Sequence, residues 1–226
     1  MSTRIAALIP AYQAAPSVGD VARRTLAILP ELVVVDDGSD DGTFEVARSA
    51  GAEVLRHPKN LGKGRALRTG MEELFGRGVD AVVTLDADGQ HLPEQIPVLL
   101  GCFSAAVDLV LGVRDRHFDQ MSGLRRVSNR LSSHMISWAA GQPLSDVQTG
   151  FRLYSHRLFQ QVGLCESGFE AESAVVVRAA RRGLRIVAVP VEMGFVDGRG
   201  TSHYRGVRDS LSIARAVFGA RFGGGR

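Results

Sequence analysis

The sequence predicts an α/β fold with a mainly parallel central sheet and helices on both of its faces. Three observations carry this. Short runs of apolar and β-branched residues recur through the first half, each closed by Gly, Pro or Asp. Amphipathic stretches with helical spacing separate them, giving the order βαβαβαβαβ up to Val113. The length of 226 residues, with 45% hydrophobic and 23% charged residues, suits one domain with one sizeable core.

Taken in order, Arg4–Pro10 ("RIAALIP") reads as a buried strand ended by its proline, and Val18–Leu29 has helical spacing. Leu32–Ser39 ("LVVVDDGS") is a β-branched strand stopped by Asp-Asp-Gly; Thr43–Ala50 is a short helix and Ala52–His57 a third strand. Gly64–Phe75 reads as helix and Ala81–Leu85 as strand. Pro93–Phe103 reads as a helix with proline at its start, followed by the strand Val107–Val113. The second half is less regular. Gly123–Ala140 reads as one long helix, Gly150–Ser155 as a strand, Glu170–Arg182 as a helix, Leu184–Met193 as a strand and Gly206–Phe222 as a helix.

The formal net charge of +3 argues against a nucleic-acid partner. Arginines concentrate in Arg114–Arg130 and Arg178–Arg226, and acids in Asp36–Asp41 and Asp80–Asp88. Cys102 and Cys165 lack metal-ligand spacing and read as free thiols. Met1–Arg4 shows no signal-peptide pattern, and no apolar run reaches the roughly 18–20 residues that cross a bilayer. The expectation is a cytoplasmic chain, compatible with a peripheral position on the cytoplasmic membrane face or a membrane-protein partner. On the last helix Val207, Leu211, Ala214, Phe218 and Phe222 form a stripe, with Arg208 and Arg215 on another face. That pattern suits a helix lying on anionic lipid, although packing on the chain's own core is its commoner use.

The chemistry centres on "VVTLDADGQH", Val82–His91. Residues two apart on a strand share a face, so Asp86 and Asp88, if still extended, present both carboxylates to one point. They fall at the carboxyl end of a strand, where open α/β sheets bind ligands. A hard divalent cation relieves the repulsion of two such carboxylates, and Mg2+ or Mn2+ commonly shares its site with phosphates. Gln90 adds a neutral oxygen. The same residues also read as an Asp88–Gly89 turn and an Asp86 helix cap. In "VVVDDGSDDGT" (Val33–Thr43), Asp36 or Asp37 suits the donor groups of a base or ribose, while Ser39, Asp40 and Asp41 suit the start of the next helix. "NLGKGRALRTG" (Asn60–Gly70) is not a P-loop. Gly64 follows Lys63 where Ser or Thr belongs, and His57 holds the first glycine position; Lys63 remains a candidate phosphate donor.

These segments, with "IPAYQAAPSV", "LGVR", "SDVQTGFRLY", "GFEAES" and "RGTSHYRGVRD", occur in an order that resembles the family 2 glycosyltransferases, most closely the dolichyl- and polyprenyl-phosphate sugar synthases. The likeness spans almost the whole chain. It implies a GT-A-type nucleotide-diphospho-sugar transferase fold in one domain, with a nucleotide-sugar half (1–115), an acceptor half (116–205) and a C-terminal helix and tail (206–226). It also implies an inverting transfer from a GDP- or UDP-linked sugar, with a divalent metal as cofactor. On this resemblance Pro10, Ala11, Tyr12, Asp36, Asp37, Lys63 and Ala87 line the donor pocket with Asp86 and Asp88. Asp86, Asp88 and Gln90 hold metal, Asp88 and Arg114 serve the reacting diphosphate, and Arg199 and Arg205 lie on a closing loop. Gln13 and Ala14 stand where family members often carry an acidic residue.

The acceptor sets the remaining requirement. A hydroxyl needs a general base, whereas a lipid phosphate, with a second pKa of about 6, is already ionised and needs cations. Arg114, Arg125, Arg126, Arg130, Arg199 and Arg205 favour the phosphate, with Arg126, Arg130, Gln148 and Glu170 as acceptor-side residues. Asp146, Glu170 and Glu172 are the candidate bases for a hydroxyl on a glycan, protein or small molecule; each also reads as a turn or helix-start acid. Gln148 orients an acceptor or ties down its loop, and His203 is a ligand or a surface residue. A non-catalytic nucleotide-sugar binder is the third reading, disfavoured by the complete aspartate motif.

Overall fold

The computed structural model describes residues 3–113, 135–144, 147, 149–194 and 206–222, with side chains of the last helix from Ser212 onward. Among the described residues seven strands form one sheet in the order β3-β2-β1-β4-β6-β5-β7. They are β1 (Ile5–Ala11), β2 (Leu32–Asp36), β3 (Glu53–Arg56), β4 (Ala81–Thr84), β5 (Leu109–Val113), β6 (Arg152–Ser155) and β7 (Ile186–Pro190). The helices are α1 (Ala15–Leu26), α2 (Thr43–Ser49), α3 (Lys63–Gly76), α4 (Ile96–Cys102), α5 (His156–Val162), α6 (Glu170–Arg181) and α7 (Gly206–Phe222). Residues 135–140 are also helical.

The sheet is mainly parallel, as expected: β3, β2, β1 and β4 run the same way, and β5 pairs β7 in parallel. β6 enters between β4 and β5, antiparallel to both. All four β6 residues are buried, and a strand of that kind belongs inside a sheet rather than at its edge. Alternating side chains feed two apolar layers. Ala6, Leu8, Val33, Val35 and Val82 face α3 and α6; Ala7, Ile9, Val34, Val83 and Phe151 face α1 and α4. Each fully buried Leu, Ile or Val contributes about 1.5–3 kcal/mol of transfer free energy.

Several boundaries differ from expectation for local reasons. The first helix starts at Ala15 rather than Val18 because Pro16 suits a first turn, and it closes before Leu29 as Ile28 and Leu29 both donate to the Thr25 carbonyl. Pro93–Gln95 forms a 3-10 turn before α4, since Pro97 has no N–H to continue one ladder from Pro93. Among the described side chains of α7 the buried ones are Ile213 and Val217, not the expected Phe218 and Phe222, which are 48% and 68% exposed.

Candidate active site

The chain order reverses between β1 and β4: β2 and β3 build outward on one side of β1, and β4 begins the other. Open α/β sheets bind ligands at the carboxyl edge of such a switch point. Pairing of β1 with β4 ends at Leu8 and Thr84, while β1 continues beside β2 to Ala11 and Asp36. Pro10 therefore lies inside the strand instead of ending it, where β4 has already turned away. Tyr12 follows β1 on one side of this gap, and Asp86 to Gln90 lie on the other.

Asp86 and Asp88 are not in extended strand: β4 ends at Thr84, and Ala87–Asp88 form a turn completed by Gly89 at φ 77°. Their proximity arises from that turn. Burial, and then the neighbouring Asp86 charge, push the Asp88 carboxyl above the usual range. Asp88 Oδ1 accepts the Gln90 N–H at 3.0 Å. Asp86 Oδ1 lies 2.6 Å from Lys63 Nζ, and the Asp86 N–H donates to His91 Nδ1 at 3.2 Å. His91 is buried and stacked on Phe151. The Ala87 carbonyl accepts from Ser17 Oγ at 2.7 Å, which fastens the aspartate turn to α1.

Lys63 heads α3. Its ammonium bridges Asp86 and, at 2.9 Å, Glu172 Oε2 on α6. Burial alone would lower its pKa, but the two carboxylates outweigh that and hold it above the usual lysine range. The preceding loop is fixed from Asp37: Oδ1 accepts from Leu61 N at 2.9 Å and lies 2.6 Å from His57 Nδ1, while Oδ2 accepts from Gly62 N at 2.7 Å. Gly62 has φ 98°, and a Cβ there would sit 2.4 Å from the Ser167 carbonyl oxygen, so only glycine fits this crossing.

Asp36 and Asp37, expected to face a nucleotide, are both buried and engaged with the chain. Asp36 accepts the Ser39 N–H at 3.0 Å and has Arg56 Nε 3.2 Å from Oδ2, without hydrogen-bond geometry. Ser39, Asp40 and Asp41 mainly clasp the β1–α1 loop. Gln13 N–H donates to Ser39 Oγ, Gln13 Nε2 to Asp40 Oδ1 and Ala15 N–H to Asp41 Oδ2. This holds Gln13 in a left-handed conformation at φ 52°, a strain of about 1–3 kcal/mol.

Sequence reasoning missed Gly150 and Arg152. Gly150 lies against the Asp86 carboxylate, and a Cβ there would be 2.5 Å from both oxygens; Thr84 Oγ1 fixes it by donating to its carbonyl at 2.8 Å. Glu172, read as a candidate base or a helix-start acid, is a buried ion-pair partner. Arg152 is fully buried, with its guanidinium donating to the Thr149, Val147 and Glu172 carbonyls at 2.6–2.7 Å. Only "QTGFR" hinted at this cluster, as an Arg in an otherwise apolar strand. Glu170 behaves as a helix-start residue, accepting the Gly168 N–H at 3.2 Å. Arg114, Arg125, Arg126, Arg130, Asp146, Gln148, Arg199, His203 and Arg205 lie outside the described residues.

The oxygen donors of Asp86, Asp88 and Gln90 suit a hard divalent cation, and the opposed ionisation of Asp88 is what such a cation would relieve. Among the described residues, no group of three or more His, Cys, Asp or Glu side chains is placed to hold a metal unaided. A Mg2+ or Mn2+ ion there would share its shell with a ligand.

Comparison with known proteins agrees with this geometry. The chain is 35% identical over 206 residues to an undecaprenyl-phosphate mannosyltransferase of Micrococcus luteus, covering 83% of this chain and 82% of the relative. It is 30% identical over 200 residues to an undecaprenyl-phosphate 4-deoxy-4-formamido-L-arabinose transferase of Edwardsiella ictaluri, covering 83% of this chain but 59% of that longer relative. Its fold matches the crystal structure of glucosyl-3-phosphoglycerate synthase from Mycobacterium tuberculosis in complex with Mn2+, uridine diphosphate and phosphoglyceric acid. The TM-score is 0.72 at 21% identity, covering 97% of this chain and 77% of that one. The mixed seven-stranded sheet is thus of the GT-A type. The Glycosyl transferase family 2 profile matches residues 6–163, and with the aspartate turn at the switch point of such a sheet, the chain belongs to that family of glycosyltransferases.

Proposed function

We propose that this enzyme transfers a sugar, with inversion, from a UDP- or GDP-linked donor to a polyprenyl phosphate. One observation favours a phosphate acceptor: both described candidate bases, Glu170 and Glu172, are engaged within the chain. Glu170 binds its own Gly168 amide, and Glu172 is buried against Lys63 and Arg152. A phosphate acceptor needs no base. Its oxygen attacks the anomeric carbon as the bond to the nucleoside diphosphate breaks, and the bonding electrons leave with the diphosphate. The Micrococcus luteus and Edwardsiella ictaluri relatives, both named for undecaprenyl phosphate, support this reading.

In this scheme residues 1–115 hold the donor and 116–205 the acceptor. Asp86, Asp88 and Gln90 would hold Mg2+ or Mn2+, which supplies positive charge against the departing diphosphate. Pro10, Ala11, Tyr12 and Ala87 border the donor's place at the switch point, and Asp36 and Asp37 shape it from behind. Lys63 orients Asp86. Arg114, Arg199 and Arg205 are assigned to the diphosphate, and Arg126, Arg130 and Gln148 to the acceptor. Purified enzyme with radiolabelled UDP- and GDP-sugars should glycosylate a short-chain polyprenyl phosphate and leave the matching polyprenol untouched. Equal transfer to the polyprenol would overturn the assignment.

The acceptor resides in a membrane, and one surface suits that address. Trp138, Phe218 and Phe222 are 52%, 48% and 68% exposed, with ring centroids 6.0–6.4 Å apart. Arg221 stacks over Trp138 at 4.1 Å, and Arg215 is exposed on the same helix. No described helix is long and apolar enough to cross a membrane. Aromatic rings beside guanidinium groups match the interface of an anionic bilayer. Phosphatidylglycerol vesicles should float with the wild-type protein and lose the Trp138→Ala/Phe218→Ser/Phe222→Ser variant; equal flotation of the two removes this surface from the reading.

A further inference from the structure

We propose that Lys63 is a built-in counter-ion that keeps Asp86 from taking up a divalent cation until a nucleoside diphosphate arrives. The proposal rests on the metal site above and adds an order of binding to it.

The ammonium occupies a carboxylate oxygen that a metal ion would need, 2.6 Å from Asp86 Oδ1. It is not a wandering surface charge. Lys63 heads α3, whose entry is pinned by the Gly62 N–H to Asp37 and the Arg65 N–H to the Ser167 carbonyl. The Phe169 ring adds a wall with its centroid 5.7 Å from Nζ.

Glu172 keeps the ammonium there. Its side chain is 5% exposed; Oε2 takes Lys63 at 2.9 Å, and Oε1 is buried without a hydrogen bond, 4.0 Å from Arg152 Nε. Withdrawing Lys63 would leave this buried carboxylate with little compensation, which is costly. The ammonium therefore stays, and Asp86, Glu172, Lys63 and Arg152 carry two negative and two positive charges. Asp88 offsets one charge of a divalent ion arriving alone, and the other is left uncompensated beside Lys63. A nucleoside diphosphate arriving with it supplies the missing negative charge and offers the ammonium a phosphate oxygen. Metal and nucleotide then bind as a cooperative pair, each raising the other's affinity by the same factor.

The test is Mn2+ binding, followed by electron paramagnetic resonance or calorimetry, with MnCl2 alone and with UDP or GDP present. The solution Mn–nucleotide complex is subtracted in every titration. Lys63→Met/Glu172→Gln removes the ion pair without stranding a charge, and Glu172→Gln alone is its reference. Against that reference, the double variant should bind Mn2+ alone about tenfold more tightly, and its nucleotide enhancement should shrink by the same factor. Lys63→Gln, which can hydrogen-bond both carboxylates without charge, should behave likewise. Lys63→Arg should keep the wild-type pattern. Unchanged or weaker Mn2+ binding in the folded double variant and in Lys63→Gln overturns the counter-ion role while leaving the metal site intact. Absence of Mn2+ binding to wild-type protein, even with UDP and GDP, overturns the metal site and this role together.

Discussion

Asp88→Asn is expected to lose about a hundredfold to a thousandfold in transfer rate while making the ligand-free protein more stable. The two effects share one cause. Burial and the Asp86 charge raise the Asp88 carboxyl pKa in the folded chain above its unfolded value of about 3.9. The folded state therefore holds the Asp88 proton more tightly than the unfolded state does. The penalty for ionising it is absent below the unfolded pKa, grows as pH rises towards the folded value, and is fully present above that. At neutral pH the wild-type protein carries that penalty and the amide does not. Asparagine also keeps an oxygen for the Gln90 N–H, so the turn survives. Scanning calorimetry without ligand should give the variant the higher Tm. Adding Mn2+ and nucleotide should raise only the wild-type Tm. A variant that is destabilised without ligand, or that retains its rate, refutes this account.

Gly150→Ala should cost about a hundredfold in rate with little loss of stability. Gly150 does not have a left-handed φ, so alanine fits its backbone. The obstacle is the Asp86 carboxylate, 2.5 Å from the new methyl at both oxygens. The carboxylate is the softer party, because the Thr84 hydroxyl bond to the Gly150 carbonyl anchors the backbone. Asp86 must rotate, and both its approach to Lys63 and its aim into the switch point change. The loss should appear in kcat and in Mn2+ affinity, with urea unfolding close to wild type. A rate within twofold of wild type, a bound set by the size of the expected effect, would show that Asp86 tolerates displacement.

The fold was legible in the sequence where the signal was local. Strands β1 to β4 and their helices announced themselves by apolar runs closed by Pro, Gly or Asp. The position of β6 did not, because an apolar run carries neither direction nor partner. The aspartates were legible as a site, and of the two geometries offered, strand or turn, it is the turn at Gly89 that gathers them. Asp37 shows a role that the sequence hid. Its place after a buried strand looked ligand-facing, but the amides of Leu61 and Gly62, far along the chain, claim its oxygens. Gly150 was missed, and the ion-pair role of Glu172 was not foreseen, for the same reason. Each acts through a partner, Lys63 or Asp86, that only tertiary packing brings near.

The insertion of β6 has a consequence for how the enzyme is made. Through β5, a chain emerging during synthesis has its first five strands but leaves β4 without its second neighbour. Val82 and Val83 then sit on an unpaired strand edge, the kind of surface that invites association with other chains. Closing that edge needs residues 152–155 to return across a long connection, a non-local and therefore slow step. Gly150 arrives beside Asp86 in the same movement, and α6 must follow to deliver Glu172 to Lys63. The segment that protects the nascent sheet is thus the one that finishes the aspartate site, so a chain stalled before it is both sticky and inactive.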